Sequence, residues 1–351
     1  MRRFVKGNEA VVIGALYAGC DVYFGYPITP ASEIMHSAAE WFPPLGKEYL
    51  QAECETAAIN MILGASGAGK LAMTASSGPG MSLMQETLSY LAGSDLPAVI
   101  VNVMRTGPGL GNIGPEQGDY NQAVKGGGHG NYRSIVLAPA SVQEMCDLTM
   151  KAFELSFKYR NPAIVLADAV LGQMMESLKL PDKVAPRPEA ASWAVQGDAQ
   201  TRMHAINTIH LDPDEAERYN RHLQTKYQSM SADAAAEEYR ADDAELILTG
   251  YGSSARIART AVDRLRAQGI KAGLFRPLTL FPFAKERLNQ VASGKKVMVV
   301  EMSNGQYHAD VLLNLERDVH TPVRLINRMG GNMVRVEDLL AAAKSFQGAS
   351  S

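Results

Sequence analysis

Glu55 ends the stretch Gln51-Ala-Glu-Cys-Glu55 and is the last charged residue before Thr-Ala-Ala-Ile-Asn-Met-Ile-Leu-Gly64. A carboxylate at that boundary is drawn toward the interior, where an unpaired charge is costly. Buried carboxylates hold or share protons near neutral pH, so the chemistry on offer is acid–base. Glu53, two residues earlier, competes for the same role. Arg105 directly follows the apolar run 97–104. Its guanidinium suits a carboxylate gripped by two parallel hydrogen bonds, and equally an ordinary ion pair with Glu116 or Asp119. Thr29 stands between Pro27 and Pro30, which restrict the backbone around its hydroxyl; a plain turn threonine is the competing reading. His129, inside a glycine-rich stretch, is either a further pocket residue or a solvent-facing loop histidine.

The elements that must position these residues alternate. Helical spacing covers residues 8–18, 31–40, 57–64, 81–92 and 142–159. Strands are predicted at 21–25, 71–76, 97–104 and 163–166, with Ser77-Gly78-Pro79-Gly80 as a turn after the second. The near-continuous apolar character of 97–104 suits a parallel strand covered on both faces. From about Pro181 the pattern changes. Pro181, Pro186 and Pro188 make a loop, and the charged stretch 213–238 reads as a long exposed helical arm. A second α/β block starts near Asp243, with strands at 246–249, 271–275, 296–301 and 323–327 and helices at 255–268, 307–318 and 336–344. The fold class is therefore α/β with two parallel-sheet domains.

Two glycine motifs imitate nucleotide sites and fail. Gly64-Ala-Ser-Gly-Ala-Gly69-Lys70 follows a helix instead of a strand, and Leu71 stands where Ser or Thr would bind magnesium. It reads as a helix end closed by glycine. Gly109, Gly111 and Gly114 have dinucleotide spacing, but Pro115 follows and no helix opens there. The glycine-rich loop 107–130 after a buried strand still argues for a functional role. Cys20, Cys54 and Cys146 fit no metal spacing and read as small buried hydrophobes.

With 351 residues, 46% of them hydrophobic, the chain is long enough for two domains with a sizeable core. A formal charge of -3 gives no basic footprint for nucleic acid. No apolar run approaches the roughly 20 residues of a membrane span, and no signal peptide is evident, so the expected setting is cytoplasmic.

Taken in order, Tyr26-Pro27-Ile28-Thr29-Pro30, Glu55-Thr-Ala-Ala-Ile-Asn-Met, Ser76-Ser-Gly-Pro-Gly-Met-Ser-Leu-Met-Gln-Glu86 and Asn102-Val-Met-Arg105 with its glycine-rich loop carry a resemblance. They resemble the alpha subunits of 2-oxoacid:ferredoxin oxidoreductases, most closely the branched-chain, 2-oxoisovalerate type. The resemblance runs the length of the chain and is strongest over residues 5–175. It implies a pyrimidine-binding (PYR) domain of thiamine diphosphate enzymes over 1–180, a linker and helical arm over 181–243, and a transketolase C-terminal-like domain over 244–351.

The same resemblance implies CoA-dependent oxidative decarboxylation of a 2-oxoacid to acyl-CoA and carbon dioxide, with reduction of ferredoxin. Thiamine diphosphate would be shared with a beta subunit. Mg2+ and [4Fe-4S] clusters would belong to partner subunits, and a gamma subunit and a ferredoxin-like delta subunit would complete the complex. The sequence agrees by omission: it has no GDG with a distant Asn pair, and Gly118-Asp119-Tyr120 is not one. By resemblance Glu55 contacts the cofactor's pyrimidine, with Glu53 as the rival, and Pro27, Ile28, Ser77 and Gly78 also bind the cofactor. Arg105 would hold the substrate carboxylate and Thr29 would hydrogen-bond near the reacting carbon. The alternatives are a 2-oxoglutarate-type alpha subunit, another thiamine enzyme built from separate halves, and a non-catalytic scaffold subunit.

Overall fold

A computed structural model describes residues 1–186, 191–316 and 321–348. Pro188 and the predicted helix end at 317–318 lie outside the described residues. The first block runs β1 (Arg2–Lys6), α1 (Gly7–Tyr17), β2 (Val22–Gly25), α2 (Ser32–Trp41), β3 (Glu48–Gln51), α3 (Glu55–Gly67), β4 (Ala72–Ser76) and α4 (Gly78–Gly93). It continues through β5 (Ala98–Met104), α5 (Tyr120–Lys125), β6 (Ile135–Leu137), α6 (Val142–Tyr159), β7 (Pro162–Asp168), α7 (Ala169–Gln173) and β8 (Met175–Lys179). After α8 (Pro213–Ser229) and β9 (Ala236–Tyr239) come β10 (Leu246–Thr249), α9 (Gly252–Ala267), β11 (Ala272–Pro277) and β12 (Thr279–Phe281). The chain then forms α10 (Lys285–Ala292), β13 (Lys296–Glu301), α11 (Gln306–Asn314), β14 (Val323–Asn327) and α12 (Val336–Gly348).

Two sheets organise these elements. The larger has strand order β12-β6-β7-β5-β4-β2-β3 and the smaller β14-β13-β10-β11-β9. Every pair is parallel except β12 with β6 and β9 with β11. Each sheet thus carries one antiparallel edge strand. β1 and β8 pair separately, antiparallel. Strands β4, β5 and β7 are buried along their whole length, as their apolar runs require between two helical layers.

Alternation in the second sheet shows how the blocks join. Ile247, Val297 and Val299 belong to the large core shared with the first sheet. Their neighbours Leu246, Leu248, Met298 and Val300 pack on the other face with Val262, Leu265 and Leu339. The strand β12 crosses the join outright, since it lies within the second block's sequence yet pairs with β6 of the first sheet.

The stretch 213–238 departs from the exposed arm predicted for it. Its helix ends at Ser229 and β9 joins the second sheet. Tyr219, Leu223 and Tyr227 recur every four residues and face the first block, where Leu223 and Tyr227 are buried. The Tyr219 hydroxyl donates to the Gly93 carbonyl at 2.7 Å, and Lys226 pairs with Asp95 at 2.5 Å. The high charge density hid this apolar stripe. The glycine-rich loop 107–130 is likewise interrupted by α5, and the predicted turn 77–80 opens α4. Cys20 and Cys146 are buried as expected, but Cys54 is half-exposed at the entrance to α3. Among the described residues no helix is long and apolar enough to cross a membrane.

Candidate active site

The carboxyl ends of the parallel strands collect the candidate residues along one edge of the first sheet. The 26–30 turn follows β2, Glu55 opens the helix after β3, Ser77 follows β4 and Arg105 follows β5. Ligands of open α/β sheets gather at that edge.

Glu55 is the first residue of α3, and Cys54 before it is fully extended. A carboxylate in a first helical turn lies favourably toward the positive end of the helix dipole. Its side chain is buried, whereas Glu53 is exposed. Among the described residues no hydrogen bond or ion pair reaches the Glu55 carboxylate. Gly80 comes up against it: a Cβ there would lie 2.5 Å from Glu55 Oε1 and 2.1 Å from Ser76 Oγ. The hydroxyls of Ser76 and Ser77 are also buried without a partner. Ser77 occupies the N-cap of α4, yet its side chain makes no capping bond. Among the described residues, three polar groups are therefore left over around the start of α4, where Pro79 has no N–H and the Gly80 N–H donates to the Ser77 carbonyl at 2.9 Å.

Arg105 reaches the same turn from the other side. A Cβ on Gly78, whose φ is +43°, would lie 3.4 Å from Arg105 Cγ. The guanidinium donates Nη1–H to the Thr29 carbonyl at 2.9 Å and Nη2–H to the Leu110 carbonyl at 3.1 Å. Its Nε–H is buried without a partner. Among the described residues Arg105 makes no ion pair within contact distance of Glu116 or Asp119, although its charge favours the ionised form of Asp119 against burial.

Arg105 lines a cavity of about 760 Å³ between the two blocks. Gly78, Pro79 and the loop 105–109 form one side, with Glu116 and Asp119. Ser303, Asn304, Gln306, Met329 and Gly330 of the second block form the other. The exposed Thr29 side chain opens instead on a smaller cavity of about 390 Å³, with Glu33 and Gln173. Pro27 and Ile28 are half-buried. His129 is exposed, and its carbonyl accepts from the Ser89 hydroxyl at 3.0 Å; its side chain does not line the larger cavity.

The sequence marks Asp119 only as a possible ion-pair partner of Arg105, and Gln117 and Asp168 carry no readable signal. Burial pushes the Asp119 carboxyl above the usual carboxylate range, against a 3.0 Å hydrogen bond from Asn102. Gln117 is fully buried and ties the blocks together. Its amide donates to the Tyr251 carbonyl at 2.9 Å and accepts from Ser254 Oγ at 2.8 Å and the Met302 N–H at 3.0 Å. Asp168, at the end of β7, is fully buried, and burial raises its pKa. It accepts the Leu171 N–H at 3.2 Å and, across the join, the Ser253 N–H at 2.9 Å.

Comparison with known proteins gives a consistent result. The family model of pyruvate flavodoxin/ferredoxin oxidoreductase, thiamine diphosphate-binding, matches residues 13–243, and that of pyruvate:ferredoxin oxidoreductase core domain II matches 244–339. The chain is 58% identical to ketoisovalerate oxidoreductase subunit VorB of Methanothermobacter marburgensis, over 99% of both chains. It is 39% identical to 2-oxoglutarate synthase subunit KorA of Archaeoglobus fulgidus, over 88% of this chain and 90% of that one. Among solved structures, 2-oxoglutarate:ferredoxin oxidoreductase from Magnetococcus marinus, with 2-oxoglutarate, coenzyme A and succinyl-CoA bound, superposes with a TM-score of 0.88 at 27% identity. That match covers 98% of this chain and 65% of the other.

Proposed function

The chain belongs to the 2-oxoacid:ferredoxin oxidoreductase family, and from that premise we propose that it is the alpha-type subunit holding the pyrimidine half of thiamine diphosphate. The reaction is CoA-dependent oxidative decarboxylation of a 2-oxoacid, with a branched-chain oxoacid favoured and ferredoxin as electron acceptor. The similarity to a ketoisovalerate oxidoreductase subunit over the whole chain supports the branched-chain choice over 2-oxoglutarate. Mg2+ and the [4Fe-4S] clusters are assigned to partner subunits: a beta subunit completes the cofactor site, and gamma and ferredoxin-like delta subunits complete the complex. The division into 1–180, 181–243 and 244–351 is kept as a proposal; the family-model boundary at 243/244 supports its second boundary, while the first model runs on through 180/181.

One observation carries this reading. Glu55 is a buried carboxylate that no hydrogen bond or ion pair reaches among the described residues; at Gly80 it comes close to the Ser76 hydroxyl, which like that of Ser77 is buried without a partner there. Such groups are costly unless something outside this chain satisfies them. A polar heteroaromatic ring fits that need. Thiamine diphosphate, when bound, supplies the nucleophilic carbon and the electron sink for loss of carbon dioxide. Glu55 would hold or share a proton at a ring nitrogen, the step on which activation of the cofactor depends. Ser77 and Gly78, with Pro27 and Ile28 opposite, would position the ring.

Arg105 would orient the substrate carboxylate. Two of its five N–H donors are spent on carbonyls, which fix the plane of the guanidinium and leave the others for the ligand. Thr29 contributes its carbonyl to that fixation; its hydroxyl, proposed by resemblance to lie near the reacting carbon, would have to turn from the smaller cavity on which the side chain opens. The test is ferredoxin reduction by the complex assembled with its partner subunits, given 2-oxoisovalerate, 2-oxoglutarate, pyruvate or an aryl pyruvate. CoA-dependent reduction with 2-oxoisovalerate as the best substrate is expected. No reduction with any oxoacid would overturn the reading.

A further inference from the structure

The cavity between the blocks has an unbalanced lining. Arg105 is its one cation among the described residues, while Glu116 and Asp119 are both acidic. Among the described residues neither acid has an ion-pair partner within contact distance. Glu116 is 8% exposed. Among the described residues its two oxygens receive long backbone contacts, from the Gly107 N–H at 3.3 Å and the Gly330 N–H at 3.5 Å. Asp119 receives the Asn102 amide. On the second block's side, Met329 is the one large aliphatic side chain of the lining and is 51% exposed.

A 2-oxoacid brings one carboxylate beside its keto carbon, and Arg105 answers that charge. With the carboxylate on Arg105, the rest of the oxoacid would lie in the cavity that Glu116, Asp119 and Met329 also line. A second carboxylate placed there would be desolvated beside like charge, with no second cation in this chain to receive it. An aliphatic end would instead meet the flexible, apolar Met329.

We propose that Glu116 and Met329 are specificity-determining residues, which reject oxoacids bearing a second carboxylate and admit those with an aliphatic end. This rests on the reading of the site as a 2-oxoacid site. Glu116 acts through its charge and Met329 through its surface; neither takes part in bond making. Because Glu116 spans Gly107 and Gly330, the selecting charge is held where the two blocks meet.

The experiment uses the assembled complex with three substrates: 2-oxoisovalerate, 2-oxoglutarate and 2-oxo-5-methylhexanoate, which matches 2-oxoglutarate in shape but carries an uncharged isopropyl group in place of the second carboxylate and is called the uncharged match below. Wild type should prefer the uncharged match to 2-oxoglutarate. Glu116→Gln should raise the kcat/KM ratio of 2-oxoglutarate to the uncharged match about tenfold, as removal of one near charge implies. Met329→Lys, at a half-exposed position that tolerates a long side chain, should raise it further. Added salt should narrow the wild-type preference and leave that of Glu116→Gln nearly unchanged. A ratio within about twofold of wild type in both variants would overturn the proposal, as would a wild-type preference for 2-oxoglutarate. If 2-oxoisovalerate is turned over while the ratios stay fixed, only the selection inference fails. If no oxoacid is turned over, the functional reading fails and the inference with it.

Discussion

Arg105 is fastened to Thr29 through the backbone, its Nη1–H donating to the Thr29 carbonyl at 2.9 Å. The contact links the turn after β2 to the end of β5, and a second bond to Leu110 fixes the guanidinium plane. Lysine cannot span both carbonyls and still present a fork. Arg105→Lys should raise KM for the oxoacid about tenfold or more, with KM for CoA changed less than about threefold. Equal effects on both constants would mean that Arg105 serves the fold alone. Initial rates with each substrate varied in turn decide the matter.

Removing the proton-holding capacity of Glu55 should cost turnover more than binding. Glu55→Gln is expected to lower kcat about 10²-fold or more in the assembled complex. The exposed Glu53 should tolerate the same change within about threefold. Size-exclusion profiles should match wild type in both cases. Near-normal turnover in Glu55→Gln would sink the assignment.

Gly80→Ala tests the same corner by steric means. The added carbon would meet Ser76 Oγ at 2.1 Å and Glu55 Oε1 at 2.5 Å, so the carboxylate must move. Alanine favours the helix that Gly80 belongs to. Turnover should therefore fall about tenfold or more through misplacement, without a matching loss of helix content. Circular dichroism and turnover, measured on the same preparation, separate the two effects.

Asp168 uses both oxygens, one for Leu171 and one for Ser253. In Asp168→Asn one of those N–H groups faces another donor. The expected loss is about 1–3 kcal/mol of stability, read as a lower midpoint in denaturant. An unchanged midpoint would show that the buried carboxylate does not matter to the join between blocks.

Glu33 sets an acid limit. Burial opposes its ionisation, but hydrogen bonds from Lys6, Gln173 and Asn8 outweigh burial and bring its pKa from 4.5 down to about 2. A lowered folded-state pKa means that Glu33 contributes stability above the unfolded-state value and loses it as pH falls toward the folded one. Glu33→Gln should therefore lower Tm at pH 7, and the gap from wild type should close between about pH 4.5 and 2. A gap that persists at pH 2 would contradict the ion-pair account.

Local signals decided what the sequence disclosed. The α6 boundaries were readable because Ser141 caps its start by accepting the Glu144 N–H, and Arg160 ends it in a left-handed conformation. Glu55 was readable because a charge at the edge of an apolar helix has few places to go. The α8 stripe was missed because three apolar residues sat within dense charge. The three-residue strands β6 and β12 are too short for any periodicity to register. The far wall of the cavity was hidden for a topological reason: Gln306 and Met329 come to line the cavity of Arg105 only when the second sheet docks. Gln117 looked like any loop glutamine, since only burial gives its amide meaning.

The crossing of β12 into the first sheet has a consequence for dissecting this subunit. A fragment that stops at residue 243 would leave one side of Ile135–Leu137 bare. Uncapped strand edges recruit strands from other molecules. Such a fragment should therefore self-associate when made alone, and a peptide bearing Thr279–Phe281 should suppress that association. The boundary at 243/244 divides the stretches matched by two family models, but it is not a seam along which the folded chain comes apart.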